Sequence, residues 1–228
     1  MANITAISLV VGAYLYGSAP FIRGIAKLKG VDLHAFGSRN IGGSNLTKAA
    51  GLPLGLIGSF LDLSKGLLPI LLGYYAFHQS TIVVCFAGLV AILGQMWPVS
   101  LKFYGGRGIS ATGGAALVWL FTPYLPFKVA IAAIPIGVGA IWRILTHRSS
   151  DLVPLGTLAT FALFPVLVWF WGDPVERAVI SLTFVVAFCL TGIRRLTADL
   201  RRDLREKPDS VSLKSILINR FFLDRSYR

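Results

Sequence analysis

Charged side chains are scarce in this chain. Only 14% of the 228 residues are Asp, Glu, Lys or Arg, while 55% are hydrophobic; about a quarter are charged in ordinary soluble domains. The mean hydropathy is +0.71. This composition excludes an ordinary soluble domain and indicates a membrane protein. The net charge of +12 would suggest nucleic acid in a soluble protein, but the basic residues lie in short loops and the tail, so nucleic acid binding is a minor alternative.

Cysteine and histidine are also rare, with two and three residues respectively. Cys85 and Cys189 lie far apart in apolar runs, which excludes a disulfide framework and a metal site with ligand-like spacing. We expect both thiols to be buried as small hydrophobic groups. The histidines, at positions 34, 78 and 147, form no convincing Ser-His-Asp set.

Apolar runs long enough to cross a bilayer, about 17–25 residues, recur along the chain. We predict an all-α polytopic membrane protein with about seven transmembrane helices. The predicted spans are residues 4–22, 53–75, 81–98, 109–121, 126–145, 152–171 and 175–193, of which the fourth is short. No basic segment precedes the first run and no cleavage site follows it, so we expect a retained helix and not a removed signal.

The basic residues predict the orientation of these spans. With seven spans, one side of the membrane has only Lys128 and Arg177 besides Asp173 and Glu176. Because cytoplasmic loops are rich in Lys and Arg, we predict an outside N-terminus and a cytoplasmic C-terminus. The basic residues before the tail on the predicted cytoplasmic side are Arg23, Lys27, Lys29, Arg39, Lys48, Lys102, Arg107, Arg143 and Arg148.

The composition becomes polar and strongly basic near residue 197. We assign residues 1–196 to a seven-helix membrane domain and residues 197–228 to a basic cytoplasmic tail. Between positions 211 and 222 apolar residues alternate with basic ones, a pattern that suits an amphipathic helix lying on an anionic leaflet. A partly disordered solubilising tail is the alternative.

Two polar clusters occur on the predicted cytoplasmic side of the first two spans. The loop at residues 37–45 is dense in Gly, Ser and Asn, which donate many hydrogen bonds at short range, and Lys48 follows it; a flexible linker is the alternative. Asp62 and Lys65 lie within an apolar run, where charges are costly and face a partner or a polar cavity. Three residues apart on a helix, they can pair with each other; alternatively, Lys65 reaches a substrate anion while Asp62 braces the first loop.

A third cluster, at residues 94–108, contains Gly94-Gln95-Met96-Trp97-Pro98 and Gly105-Gly106-Arg107-Gly108. Glycines allow backbone N–H groups to converge on one point, and a guanidinium group can fork onto phosphate oxygens. A helix beginning near Ile109 would direct its positive end at this turn. With Lys102 nearby, the segment predicts an anion site; a tight turn with a lipid-facing arginine is the alternative.

The motifs keep a fixed order and spacing between residues 16 and 112. They are Gly17-Ser18-Ala19-Pro20, Gly37-Ser38-x-Asn40-x-Gly42-x-x-Asn45, Asp62-x-x-Lys65-Gly66-x-x-Pro69, Gly94-x-x-x-Pro98 and Gly105-Gly106-Arg107-Gly108. This arrangement resembles the first signature, the second-helix signature and the glycerol-phosphate loop of the acyl-phosphate:glycerol-3-phosphate acyltransferases, the PlsY family.

The resemblance implies a small integral enzyme of the bacterial inner membrane whose active site faces the cytoplasm. Such enzymes transfer a fatty acyl group from acyl phosphate to the 1-hydroxyl of glycerol 3-phosphate in phospholipid synthesis, and they need no cofactor or metal. It further implies catalytic roles for Ser38, Lys48 and Arg107 and structural support from Asp62. The substrate-binding residues that it implies are Asn40, Gly42, Asn45, Lys65, Gln95, Gly105, Gly106, Gly108, Ser149 and Ser150.

The chain departs from the family pattern at several of these positions. Lys48 stands where the family has arginine, Arg107 where it has lysine, and Gln95 where it has histidine. In the last span, Cys189 and Gly192 replace the family's histidine and asparagine, which contact substrate. Two alternatives therefore stay open: a relative of altered or lost activity that binds lipid or phosphate, and a small anion transporter, because helix ends and buried charges also serve transport.

Overall fold

A computed structural model describes residues 2–119, 126–146, 152–170, 173–198, 200–206 and 211–223. These residues form helices and connecting turns, with no β-strand among them. The all-helical prediction is confirmed. The chain divides into two compact units, Met1–Pro123 and Tyr124–Arg228.

Seven apolar helical segments lie within the described residues. Four are long and apolar enough to cross a membrane: Ile4–Leu28, Leu52–Ala76, Thr81–Leu101 and Pro174–Thr197. Three are shorter: Ile109–Val118, Ala130–Trp142 and Val153–Trp169. The count of seven membrane spans and the orientation of the termini stay predictions.

The first unit contains six α-helices in its described residues. They are α1 (Ala2–Gly17), α2 (Phe21–Leu28), α3 (Gly43–Ala50), α4 (Leu52–Leu71), α5 (Thr81–Met96) and α6 (Ile109–Val118). The first predicted span, residues 4–22, contains a break: α1 ends before Pro20, which lacks an amide proton, and α2 begins after it. Helix α4 packs against all five of the others, so it is the centre of this unit.

Helices α4 and α6 approach each other through glycines. A Cβ atom at Gly66 would overlap the backbone of Ala111, and one at Gly114 would overlap the carbonyl oxygen of Leu63. Small residues at such crossings allow two backbones to touch, as in many membrane proteins. The contact fixes α6 beside the turn of α4 that carries Asp62 and Lys65.

The second unit contains five α-helices in its described residues. They are α7 (Pro126–Thr146), α8 (Leu152–Trp169), α9 (Pro174–Thr197), α10 (Leu200–Glu206) and α11 (Leu213–Leu223). Helix α9 begins after Asp173, whose carboxylate accepts hydrogen bonds from the amides of Val175 and Glu176, a typical N-cap. The expectation that both cysteines are buried is wrong for Cys189, which is exposed on α9, whereas Cys85 is buried.

The basic tail includes helix α11, which packs against α8 and α9. Ile216 of α11 is fully buried. Arg220 donates to the Asp203 carboxylate of α10 through Nε, at 2.8 Å, and Arg195 of α9 donates to the carbonyl oxygen of Phe221, at 3.0 Å. The tail helix is therefore anchored to its own unit, while its placement on an anionic leaflet stays a prediction.

Candidate functional site

Asp62 and Lys65 form a buried ion pair on adjacent turns of α4. Lys65 Nζ lies 2.7 Å from Asp62 Oδ1, and both residues are less than 5% exposed. The same ammonium group lies 5.3 Å from the centroid of the Phe21 ring, within the range of a cation–π contact. Pairing of the two charges with each other is thus confirmed. Because a buried charge is costly alone, each side chain stabilises the other's ionised form.

Gln95, near the end of α5, joins this ion pair to the glycine-rich segment that follows. Its Nε2 donates to Asp62 Oδ2 at 2.7 Å, and its Oε1 accepts from the amide of Ala111 in α6 at 3.2 Å. Its carbonyl oxygen accepts from the amide of Gly106 at 3.0 Å. The side chain is buried and bonded at both ends. Gln95 thus positions the surrounding segments, and its predicted contact with substrate stays a prediction.

The segment 105–108, here called the phosphate loop, is closely packed. Gly105 has no room for a side chain against the carbonyl oxygen of Gln95 and the ring of Pro98. Gly108 has a φ of +79° and directly precedes α6, which begins at Ile109 as predicted. Arg107 is only 7% exposed. The loop thus holds a buried guanidinium group beside the positive end of a helix, an arrangement that attracts anions.

The loop at residues 37–45, here called the first loop, is held together by the amide of Asn45. Its Oδ1 accepts from the amide of Ser38 at 3.2 Å. Its Nδ2 lies 3.0–3.2 Å from three carbonyl oxygens, those of Leu33, Phe36 and Asn40. The side chain is buried and is used within the loop. Asn45 thus shapes the first loop, and its predicted contact with substrate stays a prediction.

Two of the three predicted catalytic residues have accessible side chains. Ser38, in the first loop, and Lys48, near the end of α3, are both exposed. Asn40 and Gly42 are half-buried, and Gly42 precedes α3 in an extended conformation. The predicted catalytic serine and lysine are therefore both open to a ligand.

The three predicted clusters come together in the first unit. A Cβ atom at Gly106 would lie 3.2 Å from the carbonyl oxygen of Ile41, so the backbones of the phosphate loop and the first loop are neighbours. Gln95 links the phosphate loop to the Asp62–Lys65 pair. Backbone contacts and one amide side chain thus connect three segments that are far apart in sequence.

Other predicted positions do not complete this arrangement. Ser149 and Ser150 lie outside the described residues. On α9, Cys189 is exposed, and a Cβ atom at Gly192 would lie 3.0 Å from the ring of Phe221. The tail helix therefore packs where a larger side chain at position 192 would extend. The described residues contain no group of three or more His, Cys, Asp or Glu side chains that could hold a metal.

Several tyrosine and hydroxyl side chains escaped the sequence-based prediction. Tyr14 donates to the carbonyl oxygen of Trp97 at 2.9 Å, and Tyr16 shares a 2.7 Å hydrogen bond with Ser64. Both tie α1 to the neighbourhood of the site. Their only sequence signal is their position just before Gly17-Ser18. Ser18 and Thr112 have buried hydroxyl groups with no hydrogen-bond partner among the described residues.

Known proteins of one family match nearly the whole chain. The model of a family described as glycerol-3-phosphate acyltransferase matches residues 7–205. A glycerol-3-phosphate acyltransferase of Aquifex aeolicus is 39% identical over 147 residues, covering 59% of this chain and 77% of the relative. Glycerol-3-phosphate acyltransferase 5 of Dehalococcoides mccartyi is 34% identical over 230 residues, covering 99% of this chain and 91% of the relative.

Two solved structures have the same overall fold. One is a crystal structure of PlsY (YgiH), an integral membrane glycerol 3-phosphate acyltransferase, in its glycerol 3-phosphate form. It is 29% identical, with a TM-score of 0.71 over 93% of this chain and 98% of that chain. The lysophosphatidic acid form of the same enzyme is 31% identical, with a TM-score of 0.68 over 88% of this chain and 92% of that chain.

Proposed function

Because the chain belongs to the glycerol-3-phosphate acyltransferase family, we propose that it transfers a fatty acyl group from acyl phosphate to the 1-hydroxyl of glycerol 3-phosphate. The products are lysophosphatidic acid, a phospholipid precursor, and inorganic phosphate. The observation that carries this proposal is the contact between the phosphate loop and the first loop. It brings a buried cation next to a segment with an exposed serine, as a reaction between two phosphate-bearing substrates requires.

The phosphate loop binds the phosphate group of glycerol 3-phosphate. Arg107 supplies a guanidinium group that pairs with two phosphate oxygens, and the N-terminal end of α6 adds favourable partial charge. The amide of Gly106 is bonded to the Gln95 carbonyl oxygen, so it shapes the loop. Glycines at 105 and 108 keep the backbone close enough for these contacts to form.

The exposed side chains of Ser38 and Lys48 contact the acyl phosphate. Lys48 neutralises its phosphate, and Ser38 donates a hydrogen bond to the negative charge that develops on the carbonyl oxygen. Lys65 is buried against Asp62, so the two charges offset each other and Lys65 holds the Asp62 carboxylate in place. Asp62 and Gln95 support the geometry. Positioning of two bound substrates supplies much of the rate enhancement.

The reaction needs no protein nucleophile, because acyl phosphate is already activated. The 1-hydroxyl oxygen forms an ester bond to the carbonyl carbon while the bond from that carbon to the phosphate oxygen breaks. The departing phosphate carries away the hydroxyl proton, so atoms and charge balance.

We place the protein in the bacterial inner membrane with seven spans, an outside N-terminus and a cytoplasmic tail. The seven apolar helical segments and the uneven distribution of Lys and Arg support this topology. The active site then faces the cytoplasm, where both anionic substrates are available, and residues 1–196 form the membrane domain. Family membership argues against the anion-transporter alternative.

The direct test is a turnover assay with purified protein, palmitoyl phosphate and radiolabelled glycerol 3-phosphate. We expect labelled lysophosphatidic acid, with release of phosphate in equal amount. If none forms under conditions in which a family member works, the enzymatic proposal is rejected and the altered-relative alternative is favoured.

Arg107→Ala tests the phosphate assignment. Loss of a charge-assisted contact costs about 1.5–3 kcal/mol, which raises the KM for glycerol 3-phosphate roughly 10- to 100-fold, with a smaller effect on kcat. Arg177→Ala, which removes an arginine near the start of α9, is the matched control. An unchanged KM in Arg107→Ala would reject the phosphate loop as the binding site.

A further inference from the structure

A cleft lined by basic side chains lies between α2 and the segment that leads into the first loop. Its volume is about 290 Å³, near the lower limit of small-molecule sites, about 300–1,000 Å³. Its lining includes Arg23, Lys27, Asp32, His34 and Ile41. A cavity of this size holds a phosphate-bearing headgroup better than a whole lipid.

The charge of the cleft favours an anion. Arg23 and Lys27 lie four residues apart, so they share one face of α2, and neither pairs with a carboxylate in the part of the chain that the structure describes. The imidazole of His34 lines the same cavity. The only lining carboxylate is Asp32, whose Oδ1 accepts from the amide of His34 at 3.0 Å. Two fixed positive charges therefore outweigh one negative charge that already has a hydrogen bond.

The position of the cleft favours a lipid as the source of that anion. Helix α2 ends the apolar segment Ile4–Leu28, which is long enough to span a membrane. Leu28 is 88% exposed and Phe36 is 40% exposed, so large apolar side chains are open next to Lys27 and two residues after His34. Basic side chains at the end of a span reach the headgroup region of a bilayer.

We propose that this cleft binds the phosphate group of an anionic phospholipid, with Arg23 and Lys27 as its principal contacts. The acyl chains of the lipid lie against Leu28 and Phe36. The site is separate from the phosphate loop, but Ile41 belongs to both neighbourhoods, because it lines the cleft and its carbonyl oxygen faces Gly106. The inference goes beyond the proposed acyl transfer and does not depend on it.

The test measures binding of dioctanoyl phosphatidic acid to the full chain in a neutral detergent. All proteins carry Arg107→Ala, which removes the phosphate-loop contribution. Arg23→Gln/Lys27→Gln is compared with Lys29→Gln, which removes an exposed positive charge just after α2 and outside the cleft lining. We expect the double variant to bind at least roughly tenfold more weakly, as loss of charge-assisted contacts predicts, and Lys29→Gln to bind like its parent.

Dioctanoyl phosphatidylcholine and inorganic phosphate are titrated in parallel to identify the source of the anion. If phosphatidylcholine and inorganic phosphate bind weakly while phosphatidic acid binds tightly, the ligand is an anionic lipid. Equal binding of inorganic phosphate that also requires Arg23 and Lys27 overturns the lipid assignment in favour of a free anion. Equal phosphatidic acid binding by the double variant and Lys29→Gln overturns the site itself.

The charge-preserving variant Arg23→Lys/Lys27→Arg controls for folding, because it should retain binding within a few-fold. If it loses binding as fully as the double glutamine variant, simple phosphate recognition by the two charges is rejected. Phosphatidic acid binding without acyl transfer in the Arg107-containing protein would leave this inference intact and reject the proposed function.

Discussion

Each compact unit of this protein buries an ion pair, but the two pairs connect the structure differently. Asp62 and Lys65 lie on one helix, so their attraction joins no separate elements; Gln95 makes those links. Asp203 and Arg220 lie on different helices, and their attraction attaches the tail helix directly. The Asp203–Arg220 pair therefore serves to hold one helix against another. A pair confined to one helix leaves the fold to other contacts, and here it holds the Asp62 carboxylate as the acceptor for Gln95 beside a candidate site.

Asp62→Ala should have the largest effect, because it leaves Lys65 buried without its partner. Breaking such a pair costs about 3–5 kcal/mol, and here it also removes the bond from Gln95 to α4. We expect a lower thermal midpoint in detergent and almost no acyl transfer. Asp203→Ala is the matched change in the second unit: it should lower the thermal midpoint comparably but leave the KM for glycerol 3-phosphate nearly unchanged. Equal loss of affinity for glycerol 3-phosphate in both variants would contradict the proposal that only the Asp62–Lys65 pair supports the active site.

Gly114→Ala tests whether the first unit depends on close backbone packing between α4 and α6. The added methyl group overlaps the Leu63 carbonyl oxygen, and overpacking costs about 1–3 kcal/mol. Gly113→Ala is an unusually close control, because a Cβ atom there meets nothing within 4 Å. We expect only the first variant to lose thermal stability and turnover, whereas the second is neutral or slightly stabilised by its better helix propensity. Equal thermal stability and turnover in the two variants would mean that α4 and α6 can move apart without loss of function.

Asn45→Ala should affect the first loop with a smaller effect on the whole unit. The buried carbonyl oxygens of the loop lose their donor, at a cost of about 1–3 kcal/mol. Because Ser38 is held through this side chain, we expect kcat/KM for acyl phosphate to fall about tenfold or more, beyond any change in the amount of folded protein. Ser44→Ala, an exposed neighbour, is the control. An unchanged kcat/KM in Asn45→Ala would show that catalysis does not depend on the geometry of the first loop.

Gly192→Asn should have the smallest effect on stability. A Cβ atom at position 192 would lie 3.0 Å from the Phe221 ring, closer than ordinary van der Waals contact, so the ring must shift, at a cost of about 1 kcal/mol. We expect faster tryptic cleavage of α11, measured by limited proteolysis. The double variant Gly192→Asn/Phe221→Ala relieves the crowding at position 192. Unchanged cleavage in Gly192→Asn would show that the tail helix is anchored entirely by Arg195 and Arg220.

The sequence predicts the helices and the grouping of polar segments because both depend on local patterns. Apolar runs set the helices, and motif spacing places the glycine-rich turn directly before α6. Gln95 bonds to partners far away in the chain, and Asn45 bonds to carbonyl oxygens that only the folded loop brings together, so no sequence motif reveals that either amide is bonded internally. The exposure of Cys189 was missed for a related reason: an apolar run without a polar face does not indicate which side is buried.

The crossing of α4 and α6 also limits how this chain can be recombined with its relatives. Each helix contributes one glycine that accommodates the other's backbone, so the two surfaces are complementary only as a set. A chimera that imports α6 alone would combine a foreign surface with Gly66. Exchange of residues 62–114 as one block keeps both halves of the crossing, the Gln95 bridge and the loop between them, and is the smallest graft expected to preserve this packing.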